Sequence, residues 1–216
     1  MDKRGARLIE TIFDTDNFFM QICEKILDLA TVNLLFLLTS LPLLTIGIAK
    51  LSLYQTLFEI KGGRRVKVTA VYIKAFRENW QLGFKLGLLE LMLSAISIFD
   101  LLLIWGQEAL PFQILKVACF ALLIFTTALF LCVYPLAGRF EQSLIGGLQT
   151  SLVLLSLNFP WFFLMIAILV AILTVLLSSG LLLLLGLSLF VLIGFAGLVF
   201  TQITVLEKIF AKYERP

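Results

Sequence analysis

The sequence predicts an all-α membrane protein, a polytopic helix bundle. No charged residue occurs between Glu141 and Glu207, a run of 65 residues that are mostly Leu, Ile, Val, Phe or Ala. A helix crosses the hydrocarbon core, about 30 Å thick, in about 20 residues, so this run is long enough for two crossings. Of all 216 residues, 61% are hydrophobic and 14% are charged. In lipid each segment must satisfy its own backbone hydrogen bonds, which favours helices.

Apolar runs predict about five transmembrane helices. They cover approximately residues 20–41, 82–105, 112–134, 159–178 and 181–206. Two less apolar stretches, 47–60 and 142–158, are expected to form amphipathic helices at the membrane interface. A hairpin at Pro42 would raise the count of spans to six. No stretch outside the spans is long enough for a soluble domain, so residues 1–216 are expected to form a single integral membrane domain.

Basic residues predict the orientation of these spans. Lys and Arg concentrate in the connections 50–77 and 135–158 and in the tail, whereas the turns 106–111 and 178–180 contain none. Connections rich in Lys and Arg face the cytoplasm. With five spans, all the basic connections lie on that side and the N-terminus lies outside. With six spans, the N-terminus returns to the cytoplasm.

A weak internal repeat is visible in the chain. SLPLLTIG follows the first span and VYPLAGRF ends the third. Each is followed by a half-polar stretch and an Asn-aromatic pair, Asn79-Trp80 or Asn158-Phe159. The repeated unit would be a span, a proline break, an interfacial helix and a second span, as in membrane folds with internal repeats. Chance similarity between Leu-rich segments is the alternative interpretation.

The span 82–105 carries one stripe of small and polar residues. It consists of Gly83, Gly87, Glu90, Ser94 and Ser97, at alternating spacings of four and three. Small residues let neighbouring helices approach closely, so the stripe is consistent with a packing seam in which Glu90 bonds to a neighbour. A carboxylate inside a membrane is unfavourable, so Glu90 is also a candidate for lining a polar cavity or a coupling site.

Two further charged residues lie within predicted spans. Asp100 and Lys116 fall at similar distances from the turn between the second and third spans. An ion pair between them would lower the cost of burying both. Alternatively, the long side chain of Lys116 extends to the interface by itself.

The connection near residue 65 holds the strongest positive charge. Arg64, Arg65 and Lys67 follow a Gly62-Gly63 turn. Contact with anionic lipid headgroups is one interpretation, and docking of a protein partner is the other. Nucleic-acid binding is not expected, because the segment is short and has no nucleic-acid-binding fold around it.

The sequence gives no indication of an enzyme. Histidine is absent, and no P-loop, nucleotide fingerprint or GxSxG elbow occurs. Three cysteines, Cys23, Cys119 and Cys132, are far apart and form no CxxC pair. We therefore expect no catalytic residue, no metal site and no cofactor.

The segment NLLFLLTSLPLLTIGIAKLSLYQTLF resembles the YesL family of small bacterial membrane proteins. The match falls on Asn33, Pro42, Thr45 and Gly47, and Lys50 departs from it because the family usually keeps that position small or apolar. In physical terms, Pro42 breaks a helix, Thr45 can bond the freed carbonyls and Gly47 permits close packing.

The resemblance implies a function without naming a substrate. The family has no established activity, and its members are often encoded beside ABC transporters for carbohydrate uptake. It therefore implies an accessory or regulatory component of sugar uptake in the cell membrane, with the lipid bilayer, permease subunits and a second copy of the chain as possible partners. The alternative is a small solute transporter or channel that uses the polar stripe around Glu90.

Overall fold

The computed structural model describes residues 18–63, 67–140 and 142–213, and these ranges contain helices and turns but no strand. The predicted all-α class is therefore confirmed. The nine α-helices within these ranges are α1 (Phe18–Ser40), α2 (Ile46–Lys61), α3 (Val68–Glu78), α4 (Trp80–Ile104), α5 (Leu110–Arg139), α6 (Leu144–Leu157), α7 (Phe159–Leu177), α8 (Gly180–Leu189) and α9 (Phe195–Tyr213). A 3-10 turn at Leu43–Thr45 precedes α2, and a π-helical turn at Phe190–Gly194 joins α8 to α9.

Five helical segments of the described chain are long and apolar enough to cross a membrane. They are Leu43–Lys61, Trp80–Ile104, Leu110–Arg139, Phe159–Leu177 and Gly180–Lys212. This agrees with the predicted number and identifies a multi-pass membrane protein. One segment differs from the prediction, since Leu43–Lys61 takes the place of 20–41. α1 forms at the predicted position, but its first half carries Glu24, Lys25 and Asp28.

α2 lies at the centre of the bundle and packs against α1, α3, α4, α5 and α9. Its closest polar and glycine contacts involve residues 79–90 at the start of α4, 134–138 at the end of α5 and 202–207 at the end of α9. These three segments belong to the same end of the bundle, so α2 crosses that end. The contacts therefore favour α1, and not α2, as the helix that completes five crossings.

The helix expected at 47–60 forms, but it is largely buried inside the bundle and does not lie exposed on its surface. In the most apolar stretch of Leu43–Lys61, 56% is buried inside the bundle. The polar residues that suggested surface exposure have partners inside the protein, Glu90 for Lys50 and Asn79 for Gln55. Their polarity is thus satisfied by neighbouring helices and not by water.

α5 continues beyond the predicted end at residue 134 and passes through Pro135 to Arg139. Proline has no N–H, so the carbonyl four residues earlier, that of Leu131, loses its partner within the helix. The side-chain amide of Gln202 on α9 donates to this carbonyl oxygen at 2.9 Å. A neighbouring helix thus satisfies the backbone group that Pro135 frees, which allows the helix to continue.

The two Asn-aromatic pairs of the weak repeat have matching local structures. Asn79 joins α3 to α4, and Asn158 joins α6 to α7. In each case the backbone N–H and the side-chain Nδ2 both donate to the carbonyl four residues earlier. The distances are 3.1 and 3.1 Å to Ala75, and 3.0 and 3.1 Å to Leu154. The similarity between the two halves therefore extends to hydrogen bonding at these joints.

Candidate functional site

The site begins where the backbones of α2 and α4 touch. A Cβ atom built on Gly47 would lie 2.2 Å from the carbonyl oxygen of Gly83 and 2.4 Å from the Cα of Gly87. Only glycine fits at such a distance, because the neighbouring atoms belong to backbone. Lys50 and Glu90 follow three residues after Gly47 and Gly87, respectively, so the close approach brings their side chains together.

Glu90 has a partner for each carboxylate oxygen. Its Oε1 lies 2.6 Å from the Nζ of Lys50, and its Oε2 accepts a hydrogen bond of 2.8 Å from the hydroxyl of Tyr134. The Lys50 ammonium also lies 5.3 Å from the centre of the Tyr134 ring. The side chain of Lys50 is 33% exposed and that of Glu90 is 19% exposed. The carboxylate is therefore held by α2 and α5 together.

A second group of hydrogen bonds lies beside this ion pair. The rings of Tyr54 and Tyr134 are parallel, with centroids 6.5 Å apart. The Tyr54 hydroxyl donates to the Oε1 of Gln202 at 2.6 Å, and the amide nitrogen of Gln202 donates to the Leu131 carbonyl. We call the set Lys50, Glu90, Tyr134, Tyr54 and Gln202 the polar chain. It connects α2, α4, α5 and α9, and its hydrogen bonds remain within the protein.

Asn33 bonds the π-helical turn between α8 and α9. Its Nδ2 donates to the carbonyl oxygens of Phe190 (2.9 Å) and Val191 (2.8 Å), and its Oδ1 accepts from the N–H of Ala196 (3.0 Å). A π turn disrupts the regular i to i−4 pattern and leaves backbone groups without a helical partner. The Asn33 carboxamide is fully buried and supplies both a donor and an acceptor to these groups.

The break at Pro42 is satisfied by side chains nearby. The Thr45 hydroxyl lies 2.6 Å from the carbonyl oxygen of Thr39 and 2.8 Å from that of Pro42. The Thr39 hydroxyl lies 2.6 Å from that of Tyr72 on α3, which attaches α3 to the end of α1. Burial raises the pKa of the Tyr72 phenol to about 12, while the hydrogen bond to Thr39 acts in the opposite direction. The phenol therefore stays protonated at neutral pH.

A second ion pair joins the end of α2 to α9. Lys61, the last residue of α2, lies 2.5 Å from the carboxylate of Glu207 and donates to the hydroxyl of Thr204 at 3.0 Å. Both partners are on α9, whose residue Gln202 binds Tyr54 one turn further into the bundle. The pair therefore fixes the end of α2 against α9.

Of the two alternatives for Asp100 and Lys116, the structure does not show the ion pair. The ammonium of Lys116 instead donates to the carbonyl oxygens of Trp105 (2.8 Å) and Gln107 (2.9 Å). The last carbonyls of a helix have no partner within it, so the end of α4 and the turn that follows offer acceptors close to Lys116. Asp100 is half-buried in the last turns of α4.

The remaining candidate residues lie in different places. Ser94 is half-buried on α4, one turn beyond Glu90. Lys67 is exposed and immediately precedes α3. Arg64 and Arg65 lie outside the described residues, so the structure does not place this part of the basic segment.

Sequence reasoning identified Glu90 but missed its partners. In the sequence, Lys50 stands out as a departure from the family pattern and Tyr54 as part of the match to it, whereas Tyr134 and Gln202 do not stand out. The sequence does hold a signal for Gln202, because Pro135 predicts a free carbonyl at Leu131 and Gln202 is a lone amide in a highly apolar span. Nothing in the sequence indicates which other helix carries the partners of Glu90.

The described residues offer no group of three or more His, Cys, Asp or Glu side chains that could hold a metal ion. A cavity of about 320 Å³ lies between α5, α6 and α7. Its walls are almost entirely apolar and include Phe125, Phe159 and Phe163. This lining suits hydrocarbon and not a polar solute.

The comparisons with known proteins describe one part of the chain. Residues 29–101, about a third of the sequence, match a family model described as a protein of unknown function, DUF624. Neither a curated protein nor a solved structure matches the chain. The matched region contains Asn33, Gly47, Lys50 and Glu90, whereas their partners on α5 and α9 lie beyond it. The chain is therefore similar to that family through α1 to α4.

Proposed function

We propose that this chain is an accessory or regulatory protein of the cell membrane, associated with an ABC transporter for carbohydrate uptake, and that it is not itself an enzyme. Its resemblance to the YesL family supports this proposal. The DUF624 match is consistent with such a protein but names no activity. The helices long enough to span a membrane agree with a location beside permease subunits.

The observation that carries the proposal is the full pairing of Glu90. Both carboxylate oxygens are bonded to residues of the same chain, Lys50 and Tyr134. A transport site uses polar or ionisable groups that face a cavity and can exchange partners with the solute. Glu90 joins helices instead, which favours a protein that binds a transporter over one that moves a solute.

We assign the partner contact to α7 and the segment α8–α9. Only 6% of the most apolar stretch of α7 and 11% of that of α8–α9 are buried within the chain. Ala167 and Ala171 on α7 are exposed, one turn apart. Small residues at this spacing let transmembrane helices pack closely, so this surface suits a neighbouring transmembrane helix as well as lipid.

Purification of the full chain from native membranes at its endogenous level tests the proposal. We expect a stoichiometric ABC permease in the purified material. The variant Ala167→Trp should reduce its recovery, because a bulky side chain would prevent close packing at α7. Ala95→Trp, at an exposed position on α4, is the matched control and should leave recovery unchanged.

The alternative would be supported by a different result. An isolated homo-oligomer that moves a solute in liposomes, with activity lost in Glu90→Gln, would overturn the accessory function and favour a transporter.

A further inference from the structure

α3 is a short amphipathic helix with two distinct faces. Val68, Tyr72 and Ala75 are buried against the bundle. At 100° per residue, the exposed cations Lys74 and Arg77 lie away from this buried side, and the exposed Lys67 immediately precedes the helix. We call these three residues the cationic face. α3 packs against α1 and α2, and the Tyr72–Thr39 hydrogen bond holds it there.

Exposed apolar side chains lie beside these charges. Ile73 is 43% exposed on α3, and Trp80, the first residue of α4, is 55% exposed. Trp is enriched at the boundary between headgroups and hydrocarbon, where its ring is partly solvated. Since α4 enters the apolar region directly after Trp80, α3 lies at the level of that boundary.

We propose that the cationic face of α3 binds the phosphate headgroups of anionic phospholipids. Positive charge and exposed apolar groups occur together on this surface, which matches a lipid, whose charged headgroup is bonded to a hydrocarbon chain. A soluble phosphate would be recognised by the charges alone and would make no contact with the apolar groups of Ile73 and Trp80.

The charges on this surface are available to a ligand. Lys74 lies 3.9 Å from Glu78 in an i, i+4 pair, and these side chains are 73% and 56% exposed. An exposed pair at this distance is weak and leaves the ammonium free to contact other anions. Each cationic side chain near an anionic membrane strengthens association about fivefold, so three together strengthen it about a hundredfold.

The experiment uses the full chain purified in a neutral detergent and titrated with a short-chain phosphatidylglycerol, while thermal unfolding is followed by tryptophan fluorescence. We expect this lipid to raise the Tm of the wild type, with an effect that weakens as salt is added. The triple variant Lys67→Gln, Lys74→Gln and Arg77→Gln should need about a hundredfold more lipid for the same shift.

The matched control is Lys67→Arg with Lys74→Arg, which keeps the charges and should respond as the wild type does. A triple variant that responds like the wild type would overturn the proposal, as would an equal shift with short-chain phosphatidylcholine. An equal shift with glycerol phosphate would assign the surface to a soluble anion. If the triple variant keeps its lipid response but loses a co-purifying protein, the surface belongs to that protein.

The single variants Lys74→Gln and Arg77→Gln provide a test that does not depend on the triple variant folding. Each removes one exposed charge and should weaken the lipid response about fivefold. An unchanged response in both would contradict the proposal. Co-purification of a permease is measured separately, so failure here leaves the proposed accessory function standing.

Discussion

α2 and α7 are both apolar helices of similar length, yet they lie in opposite environments. α2 carries Lys50, Gln55 and Glu59 and has the lower mean hydropathy of the two, but 56% of its most apolar stretch is buried. α7 has no charged residue, and only 6% of its most apolar stretch is buried. In water, the more apolar helix would be inside. In a membrane, lipid solvates apolar side chains as well as protein does, so polar groups determine which helix is central.

The different environments of α2 and α7 also predict where substitutions change the stability of the protein. The contacts of α2 involve backbone, charges and hydrogen bonds that have no substitute in lipid. The exposed residues of α7 and α8 make few contacts within the chain, and surrounding lipid would adapt to a changed side chain there. Substitutions around α2 should therefore destabilise the protein strongly, and substitutions on the exposed faces of α7 and α8 should not.

The largest effect is expected for Gly47→Ala. The new Cβ would lie 2.2–2.6 Å from backbone atoms of Gly83 and Gly87, so α2 and α4 must separate. Overpacking in a core costs about 1–3 kcal/mol. Because the atoms that the new Cβ meets belong to the backbone of α4, which cannot move aside, we expect a cost at the upper end of this range or above it. Gly106→Ala is the control, because nothing lies within 4 Å of its Cβ position. Fluorescence-detected gel filtration of heated, detergent-solubilised protein measures both, and equal stability would contradict the close contact.

The second-largest loss of stability is expected for Asn33→Leu. It removes the side-chain partners of the Phe190 and Val191 carbonyls and of the Ala196 N–H. A buried polar group without a partner costs about 1–3 kcal/mol. Asn33→Asp should lie between the two, since a carboxylate can accept from Ala196 but an ionised one cannot donate to the carbonyls. The Tm in detergent gives the order wild type, Asp, Leu, and a Leu variant as stable as the wild type would show that the π turn does not depend on Asn33.

Glu90→Leu should have a smaller effect. It leaves the Lys50 ammonium and the Tyr134 hydroxyl without their partner. Loss of one member of a buried pair costs about 3–5 kcal/mol, and the remaining exposure of Lys50 places this pair below that range. The double variant Lys50→Met, Glu90→Leu should recover part of the loss, because no unpaired charge remains. Additive losses in the two single variants and the double variant would indicate that the residues do not interact.

The smallest effect is expected for Leu184→Ala on α8, where the leucine is 68% exposed. Lipid replaces the lost contacts, so the change in stability should stay within about 0.5 kcal/mol. The same substitution at Leu57, which is fully buried on α2, is the matched control and should cost about 2–5 kcal/mol. Similar losses at both positions would remove the distinction between the two helices.

The long apolar runs allowed most of the fold to be predicted. Spans beginning near residues 82, 112, 159 and 181 need only length and hydropathy, and the structure has helices there. The position of α2 could not be predicted in this way. Its Lys50 and Gln55 resemble residues of a surface helix until their partners, Glu90 and Asn79, are known, and those partners depend on tertiary packing.

The candidate site was predictable only where a local rule applied. Gly47 and Thr45 were identified through the resemblance to the YesL family, and Glu90 follows from the rarity of carboxylates in spans. Tyr134 and Gln202 belong to helices far along the chain, and their roles depend on how α5 and α9 rotate. The choice between the two alternatives for Lys116 could not be made from the sequence, because backbone carbonyls at the end of α4 bind the ammonium in place of Asp100.

The bonds of Asn33 have a consequence for biogenesis. Its acceptor oxygen binds the N–H of a residue 163 positions later in the chain. At about 5–20 residues per second, roughly 8 to 30 s of translation separate the synthesis of the two groups. α1 therefore enters the membrane with an unsatisfied carboxamide and keeps it until the last helix arrives. Assembly of this protein must then finish after its final segment leaves the ribosome, and a chain interrupted before Phe190 would retain a polar side chain that quality-control proteases can recognise.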